Sequence, residues 1–486
     1  MTPVRTFGLL LGPPLLAAAL ALVAVPFRPA VAWVNAVLSL VSLGAAFALG
    51  YQVVGGEALV AGWQDILRAD ALSALLAVCV TIVTALAAWL GPGLEGGDEP
   101  RRARRYQIFV NLFAFTMLCA VTTNNVGLMW VAIEATTIAS AMLIALDVSK
   151  ASVEASWKYV LLGSVGIALA FAGTVLAYFD FVRLADSHEA VLNWTVLRAA
   201  APNLRPEVMR LAFVFILVGY GAKAGLAPMH TWLPDAHAEA PAPVSAMMSG
   251  VLLAVALHAI VRWKGVVSAA VGPVFPNRLL VLLGILSLTI AAFSLVMQRN
   301  YKRMLAYSSI EHMGLMCVGL ALGAPGVIAA MLHLLNHTLA KAAMFLLAGR
   351  VLARYRTTDI AGVSGLLRSM PGTGALFLAG TLALVGLPPF GLFLSELALL
   401  RAGFAIGRPW LMGIVLALLT VACVGLVAHA NRMLYGPPTA GVVVGERGAW
   451  RLAPLAACLG ALVVLGLVVP APVASLLRQI AEISGP

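Results

Sequence analysis

The chain has 486 residues, of which 62% are hydrophobic and only 10% are charged. Soluble globular proteins carry roughly 25% charged residues, so this composition excludes a water-soluble enzyme. A disordered chain is excluded as well, because disorder requires low hydrophobicity and high charge. The net charge of +11 does not indicate nucleic-acid binding, because basic loops also orient membrane proteins. An all-α polytopic membrane protein is the class that remains.

Apolar stretches follow one another along the chain, each about 17–25 residues long, which suits membrane helices rather than the short strands of a barrel. The first stretch follows Arg5 as a signal peptide would, but further apolar stretches come directly after it, so we keep it as a helix. We predict about fourteen spans, at roughly 7–26, 31–54, 70–91, 106–123, 125–146, 156–180, 209–235, 241–265, 277–297, 304–323, 326–354, 372–406, 409–434 and 452–476.

Two of these spans are interrupted by proline. The seventh contains Gly-Leu-Ala-Pro at 225–228, and the twelfth contains Gly-Leu-Pro-Pro at 386–389. Proline lacks a backbone donor, so both helices should break, and breaks in corresponding positions indicate internal repeats. Because the breaks lie five spans apart, we predict two inverted five-helix repeats, spans 4–8 and 9–13. The predicted units are 1–105, 106–265 (first repeat), 266–434 (second repeat) and 435–486.

The connections that follow odd-numbered spans hold more Lys and Arg than the opposite set. This bias predicts that they face the cytoplasm of a cell inner membrane and that both termini lie on the other side. The basic residues in question are Arg28, Arg101, Arg102, Arg104, Arg105, Lys150, Lys158, Arg299, Lys302, Arg303, Arg350, Arg354, Arg356, Arg368, Arg432, Arg447 and Arg451.

The cysteines do not indicate a redox or metal centre. All five lie within apolar stretches and none forms a Cys-X-X-Cys pair. We therefore expect no metal and no cofactor in this chain. The cysteines are Cys79, Cys119, Cys317, Cys423 and Cys458.

Glu134 and Lys223 are the main candidates in the first repeat. An ionisable group at the centre of a bilayer costs about 2.5–3.5 kcal/mol even on insertion scales, which makes it a functional candidate. We predict that Glu134 carries a proton, with Thr136 and Thr137 helping to solvate it, and that its protonation controls Lys223. A hydrogen-bonded neutral glutamate and a permanent structural ion pair are the alternatives.

In the second repeat, His333, His337 and Lys341 recur at intervals of four residues and form one polar stripe on an apolar helix. Histidine titrates near neutral pH, so the stripe suits a proton relay. Metal ligation and structural hydrogen bonding are the alternatives, although a neighbouring lysine would repel a cation. Glu396, after the second break, is the predicted exit group, with a surface carboxylate as its alternative.

Other titratable residues are secondary candidates. Glu154 and Lys158 form an i, i+4 pair, which is either an exposed helix pair or a modulator of nearby proton sites. A cluster at the end of the seventh span either admits protons or is a solvated loop. His258 is either a relay step or a hydrogen-bonded core residue, and Glu311 is expected to join the second repeat's network. The cluster consists of His230, Asp235, His237 and Glu239.

Three motifs carry a family resemblance: 223–245 (KAGLAPMHTWLPDAHAEAPAPVS), 304–314 (MLAYSSIEHMG) and 333–341 (HLLNHTLAK). With them the chain resembles the antiporter-like proton-translocating subunits of respiratory complex I, Mrp-type antiporters and membrane-bound hydrogenases. Within that family, segments 122–125 and 130–137 and the motif at 234–241 are similar to the F-type membrane subunit of hydrogenase 4 and formate hydrogenlyase.

The resemblance implies that Glu134 and Lys223 form the first half-channel pair. It implies that Lys341 is the central lysine and that Glu396 is the terminal acid. The family's eighth-span Lys or His falls at Ala254 or Ser249, neither of which titrates, so His258 is the candidate substitute. The short remainder after the last span predicts that the long lateral helix of the distal complex I subunit is missing.

The expected function is proton translocation, with Na⁺ as the other candidate ion, inside a redox-driven complex. Iron–sulfur, nickel or quinone sites are expected only in its other membrane and peripheral subunits. The alternative is a self-standing secondary transporter for a cation or small solute, whose broken helices would form a substrate site.

Overall fold

The computed structural model describes residues 2–94, 98–183, 192–446 and 448–484; Arg447, one of the basic residues used to predict orientation, lies outside them. The predicted all-α class is confirmed. Up to the first break the helices are α1 (Pro3–Val23), α2 (Pro29–Val53), α3 (Ala71–Leu90), α4 (Pro100–Thr122), α5 (Val126–Ile144), α6 (Lys150–Val182), α7 (Trp194–Ala200) and α8 (Pro206–Lys223).

The second part of the chain continues in the same way. Up to the second break the helices are α9 (Trp232–Glu239), α10 (Ala242–Met247), a π segment (Met248–Leu252), α11 (Leu253–Val271), α12 (Val274–Val296), α13 (Tyr301–Leu320), α14 (Gly323–Tyr355), α15 (Leu366–Ser369) and α16 (Pro371–Leu384). After it come α17 (Gly391–Ala405), α18 (Pro409–Leu434), α19 (Ala453–Leu467) and α20 (Ala471–Ser484).

The remaining regular structure is short. Strands β1 (Leu59–Ala61) and β2 (Leu67–Ala69) form an antiparallel hairpin between α2 and α3, with Val60 opposite Arg68. Single 3₁₀ turns connect other elements, at Trp63–Asp65, Ala201–Asn203, Ile360–Gly362 and Ala449–Leu452.

Eleven of the described helical segments are long and apolar enough to cross a bilayer. The predicted count of about fourteen spans stays a prediction, because the other candidate spans depart from a plain apolar helix. The seventh and twelfth are each divided into two shorter helices, and α13 carries Lys302, Arg303 and Glu311.

Both predicted breaks are present. Helix α8 ends at Lys223 and α9 begins at Trp232, while α16 ends at Leu384 and α17 begins at Gly391. Gly225 has a φ of 73° and Gly386 a φ of 65°, a left-handed conformation that glycine adopts without steric cost. Both breaks therefore contain a glycine in the left-handed conformation.

The last predicted span extends too far. The structure ends α19 at Leu467 and starts a separate helix, α20, at Ala471. Pro470 cannot donate the hydrogen bond that a continuous helix needs, so the chain turns there. Helix α20 then packs back on the molecule with Leu476, Leu477 and Ile480 buried.

Small residues bring α6 and α8 together and thereby fix the end of α8, where Lys223 lies. A methyl group at Gly219 would approach the backbone nitrogen of Ala170 and the carbonyl oxygen of Gly166 to 2.5 Å each. Small residues at a membrane helix interface allow this close backbone approach. The position of Lys223 thus depends on a close glycine contact one helical turn before it.

We predict that Gly219→Ala lowers the stability of the protein in detergent by about 1–3 kcal/mol, because backbone atoms cannot move aside for the new methyl group. Gly413→Ala is the matched control, since a methyl group there meets nothing within 4 Å. Thermal unfolding of the two purified variants measures the difference. Equal stability of both would contradict the close-packing account.

Candidate functional site

Lys223 lies fully buried at the carboxyl end of α8. Its ammonium donates hydrogen bonds to the hydroxyls of Thr137, at 2.7 Å, and Tyr159, at 2.6 Å. It also lies 4.5 Å from the centre of the Tyr159 ring, a distance suited to a cation–π contact. Tyr159 is a member of this site that the sequence analysis missed, since one tyrosine in an apolar helix gives no pattern.

Glu134 is connected to Lys223 through a hydroxyl and does not form a direct ion pair with it in the described structure. Its carboxylate accepts hydrogen bonds from Thr137 Oγ1 at 3.1 Å and from Ser164 Oγ at 2.7 Å. Thr137 therefore accepts from the lysine and donates to the carboxylate. The expected solvation by Thr136 is wrong, because its hydroxyl bonds the Ile133 carbonyl one turn back in its own helix.

The histidine stripe of the second repeat is completed by a neighbouring helix. His333 is hydrogen-bonded through one ring nitrogen to Ser395 Oγ at 2.9 Å and through the other to His312 Nδ1 at 3.0 Å. The ring of His337 lies 5.3 Å from that of His312. His312, which the sequence places beside Glu311, thus lies between the two predicted histidines.

Lys341 is fully buried and bonds α13 rather than a carboxylate. Its ammonium donates to the Leu305 carbonyl at 3.0 Å and to the hydroxyl of Ser308. The adjacent Ser309 shares a hydrogen bond of 2.7 Å with Ser249, one of the two positions where the resemblance implies an eighth-span Lys or His. Ser249 lies in the π segment Met248–Leu252, and π turns inside α-helices are frequent at functional sites.

Glu396 lies beside the histidines. Ligand atoms of His312, His333 and Glu396 all come within 4.8 Å of one another. These are the side chains that could approach one metal ion, but two of them already share a hydrogen bond. Glu396 and Glu311 line the same small cavity, and the role of Glu311 in the second repeat's network stays a prediction.

Of the two roles expected for His258, a relay step or a hydrogen-bonded core residue, its contacts agree with the second. Its Nε2 accepts a hydrogen bond from Arg262 Nε at 3.2 Å, and Arg262 forms a buried ion pair with Asp70 at 2.5 Å. Among the described contacts none joins His258 to Lys223 or to the histidine stripe. Arg262, one turn along the same helix, bonds the His258 ring. No described contact therefore supports His258 as a link between the half-channels.

The cluster predicted at the end of the seventh span is divided by the fold. Asp235 accepts hydrogen bonds from Lys158 at 3.1 Å and Arg303 at 2.5 Å, and Lys158 also bonds Glu154 at 2.8 Å. His237 instead lies fully buried, with its ring stacked 4.6 Å from that of Phe345. A solvated loop is therefore wrong for His237, while Asp235 joins Glu154 and Lys158 in one exposed network.

His230 is also buried, with its ring 6.4 Å from that of Tyr307 on α13. It makes no contact with Asp235 that would form a single proton-admitting group in the described structure. His230 precedes the short helix α9, and Asp235 and His237 within that helix contact different neighbours.

Comparison with known proteins gives consistent matches. Residues 123–420 match the family model of the NADH:quinone oxidoreductase/Mrp antiporter transmembrane region. The chain is 41% identical, over 345 residues, to the hydrogenase-4 component F homolog of Methylacidiphilum infernorum, covering 71% of this chain and 72% of the relative.

Solved structures extend the match to nearly the whole chain. A subunit of an archaeal membrane-bound sulfane sulfur reductase superposes with a TM-score of 0.88 and 27% identity, covering 98% of this chain and 97% of that one. A subunit of the Mrp complex from Dietzia superposes with a TM-score of 0.86 at 22% identity, covering 99% and 97%, which shows the same fold.

We predict that Arg262→Met destabilises the protein by about 3–5 kcal/mol, because it leaves the Asp70 carboxylate buried without its partner. Arg102→Met is the matched control. Arg102 bonds Asp147 at the same 2.5 Å, but both side chains are partly exposed, at 29% and 61%, so its loss should cost less than about 1 kcal/mol. The Arg102 guanidinium holds the pKa of Asp147 below its ordinary value. Similar unfolding temperatures for the two variants would contradict this ranking.

Proposed function

This chain belongs to the NADH:quinone oxidoreductase/Mrp antiporter family of membrane proteins, and from that premise we propose that it translocates protons as a membrane subunit of a redox-driven complex. The observation that carries the proposal is the hydrogen-bonded series from Glu134 through Thr137 to Lys223. It connects an acid to a base across two helices at membrane depth.

The chemistry of this series follows from charge and burial. Ionised Glu134 stabilises the ammonium form of Lys223, and protonation of Glu134 removes that stabilisation. Because Lys223 is fully buried, its ammonium is then no longer compensated, and release of the proton becomes favourable. Thr137 both accepts and donates, so a proton can change partners along the series without movement of a helix.

The second half-channel consists of the polar residues of the second repeat, and it takes up the released proton at Lys341. From there the proposed route continues to the histidines, His337, His312 and His333, and ends at Glu396. The ring nitrogens of His312 and His333 share a hydrogen bond of 3.0 Å, and a neutral imidazole can accept a proton on one nitrogen while giving one from the other. The serines at 249, 308 and 309 support a hydroxyl link on the approach to Lys341.

The partners and location belong to the same proposal. We assign iron–sulfur, nickel or quinone chemistry to other subunits, a cell inner membrane as the location and the non-cytoplasmic side for both termini. The transported ion is the proton, with Na⁺ as the alternative. Relatives are named as components of hydrogenase and quinone-reducing complexes, which favours a subunit over a self-standing transporter.

Replacing Lys223 or Lys341 by Met tests this function in vesicles that hold the whole complex. We expect proton uptake to fall at least about tenfold in each variant, because a thioether cannot hold a proton, while the complex still assembles. Lys264→Met is the control, since Lys264 is also a buried lysine but bonds the Ser484 carbonyl, away from both half-channels. Unchanged uptake in both test variants would overturn the proposal.

Thr137→Val tests the bridging hydroxyl with almost no change in shape. A hydrogen bond to a charged group contributes about 1.5–3 kcal/mol, so we expect proton uptake to fall roughly tenfold to a hundredfold. Thr136→Val is the matched control, because the Thr136 hydroxyl bonds only its own helix. Equal uptake in the two variants would show that Thr137 does not connect Glu134 to Lys223.

A further inference from the structure

The two half-channels differ at the position that Lys223 occupies. Lys223 stands two residues before Gly225 of the first break, and the residue two before Gly386 of the second break is Leu384. Ten residues after these glycines stand Asp235 and Glu396. The second break thus has an apolar side chain in place of the base and keeps an acid. Glu396 is only partly exposed and forms no ion pair in the described structure, whereas Asp235 is bonded to Lys158 and Arg303.

Glu396 shares its surroundings with a second acid. Glu311 of α13 and Glu396 of α17 line one cavity of about 10 Å³, and the rest of its lining is apolar apart from Cys423 of α18. A cavity of this size holds about one water molecule. Leu384 is part of the lining, so the position equivalent to the lysine faces the two carboxyls.

Neither carboxyl has a cationic partner in the described structure. No hydrogen bond or ion pair joins Glu311 or Glu396 to another described side chain. Besides Glu311, the titratable neighbours of Glu396 include His312 and His333, with ligand atoms within 4.8 Å. Lys341 bonds Leu305 and Ser308, which stand six and three residues before Glu311 in the same helix. Lys341 therefore acts on Glu311 only through space, and two ionised carboxylates lining such a cavity would repel each other.

We propose that Glu311 and Glu396 act as one unit that retains a single proton between them through a shared water, so that the second half-channel ends in an acid pair. This inference rests on proton translocation as the function. A proton arriving from the histidines neutralises the pair's second carboxylate. The doubly protonated pair then releases one proton and returns to the singly protonated state, and repulsion between the two carboxylates opposes loss of the remaining proton. The first half-channel works with an acid and a base, and the second with two acids.

Gly386 provides the space that the pair needs. A methyl group at this position would fall 2.0 Å from Glu396 Oε2. The absent side chain therefore allows the carboxyl to turn toward the cavity. Gly386 is a positioning residue, since its effect on the proton passes through Glu396.

The test uses Glu311→Gln, Glu396→Gln and the double variant in the intact complex, with proton uptake in vesicles and infrared difference spectra as readouts. We expect each single variant to lose at least about tenfold of the uptake and the double variant to lose no more than the worse single one. Both single variants should change the same band of a protonated carboxyl. Cys423→Ala is the control, because it alters the cavity wall without removing an acid.

Two separate infrared bands, one lost in each variant, would overturn the acid pair, as would normal uptake in Glu311→Gln. If Lys341→Met abolishes uptake in the same vesicles while Glu311→Gln does not, proton translocation stands and only the pair is wrong. Should Glu311→Gln fail to assemble, Glu311→Asp replaces it: a shifted Glu396 band supports the pair, and an unshifted one overturns it.

Gly386→Ala provides an independent check through Glu396. We expect this variant to move the carboxyl band and to lower proton uptake severalfold. Gly272→Ala is its control, because Gly272 has a similar φ of 79° but open space around it. An unchanged carboxyl band in Gly386→Ala would show that Glu396 does not depend on this space.

Discussion

The burial of charge is the constraint on which the rest of this structure depends. A lysine at membrane depth is tolerated only if its ammonium has hydrogen-bond acceptors inside the protein. For Lys223 these acceptors are the hydroxyls of Thr137 in α5 and Tyr159 in α6. These contacts require α5, α6 and α8 to pack closely, and glycines make that approach possible. Packing and charge therefore specify the same arrangement.

The two halves of the protein use one backbone plan for two kinds of chemistry. Each half has a broken helix with a left-handed glycine at the break. In the first half the break follows a lysine that a hydroxyl connects to Glu134. In the second half a leucine stands there, and a cavity between Glu311 and Glu396 takes the place of the base. This asymmetry gives a proton different partners at the two ends.

Charged side chains outside the two half-channels form ion pairs that connect the helices. Arg262 pairs with Asp70 in the interior and also holds His258, while Asp235 joins α6 and α13 through Lys158 and Arg303. His258 was a candidate for the pathway because the residues at the family's eighth-span position, Ala254 or Ser249, do not titrate, with a hydrogen-bonded core histidine as the alternative. Asp70 and Arg262 are 192 residues apart in the chain, so no local pattern could reveal their ion pair.

The sequence by itself determined the class, the two breaks and several of the buried titratable residues, among them Lys223, Lys341 and His333. Hydropathy, proline and charge act locally and are visible in short windows. Only the tertiary structure decided which of the titratable residues meet. Thr136 and Thr137 are neighbours in sequence, yet one bonds its own helix and the other connects Glu134 to Lys223. The direction in which a side chain points depends on helix rotation and packing, and the residues that set these lie far apart along the chain.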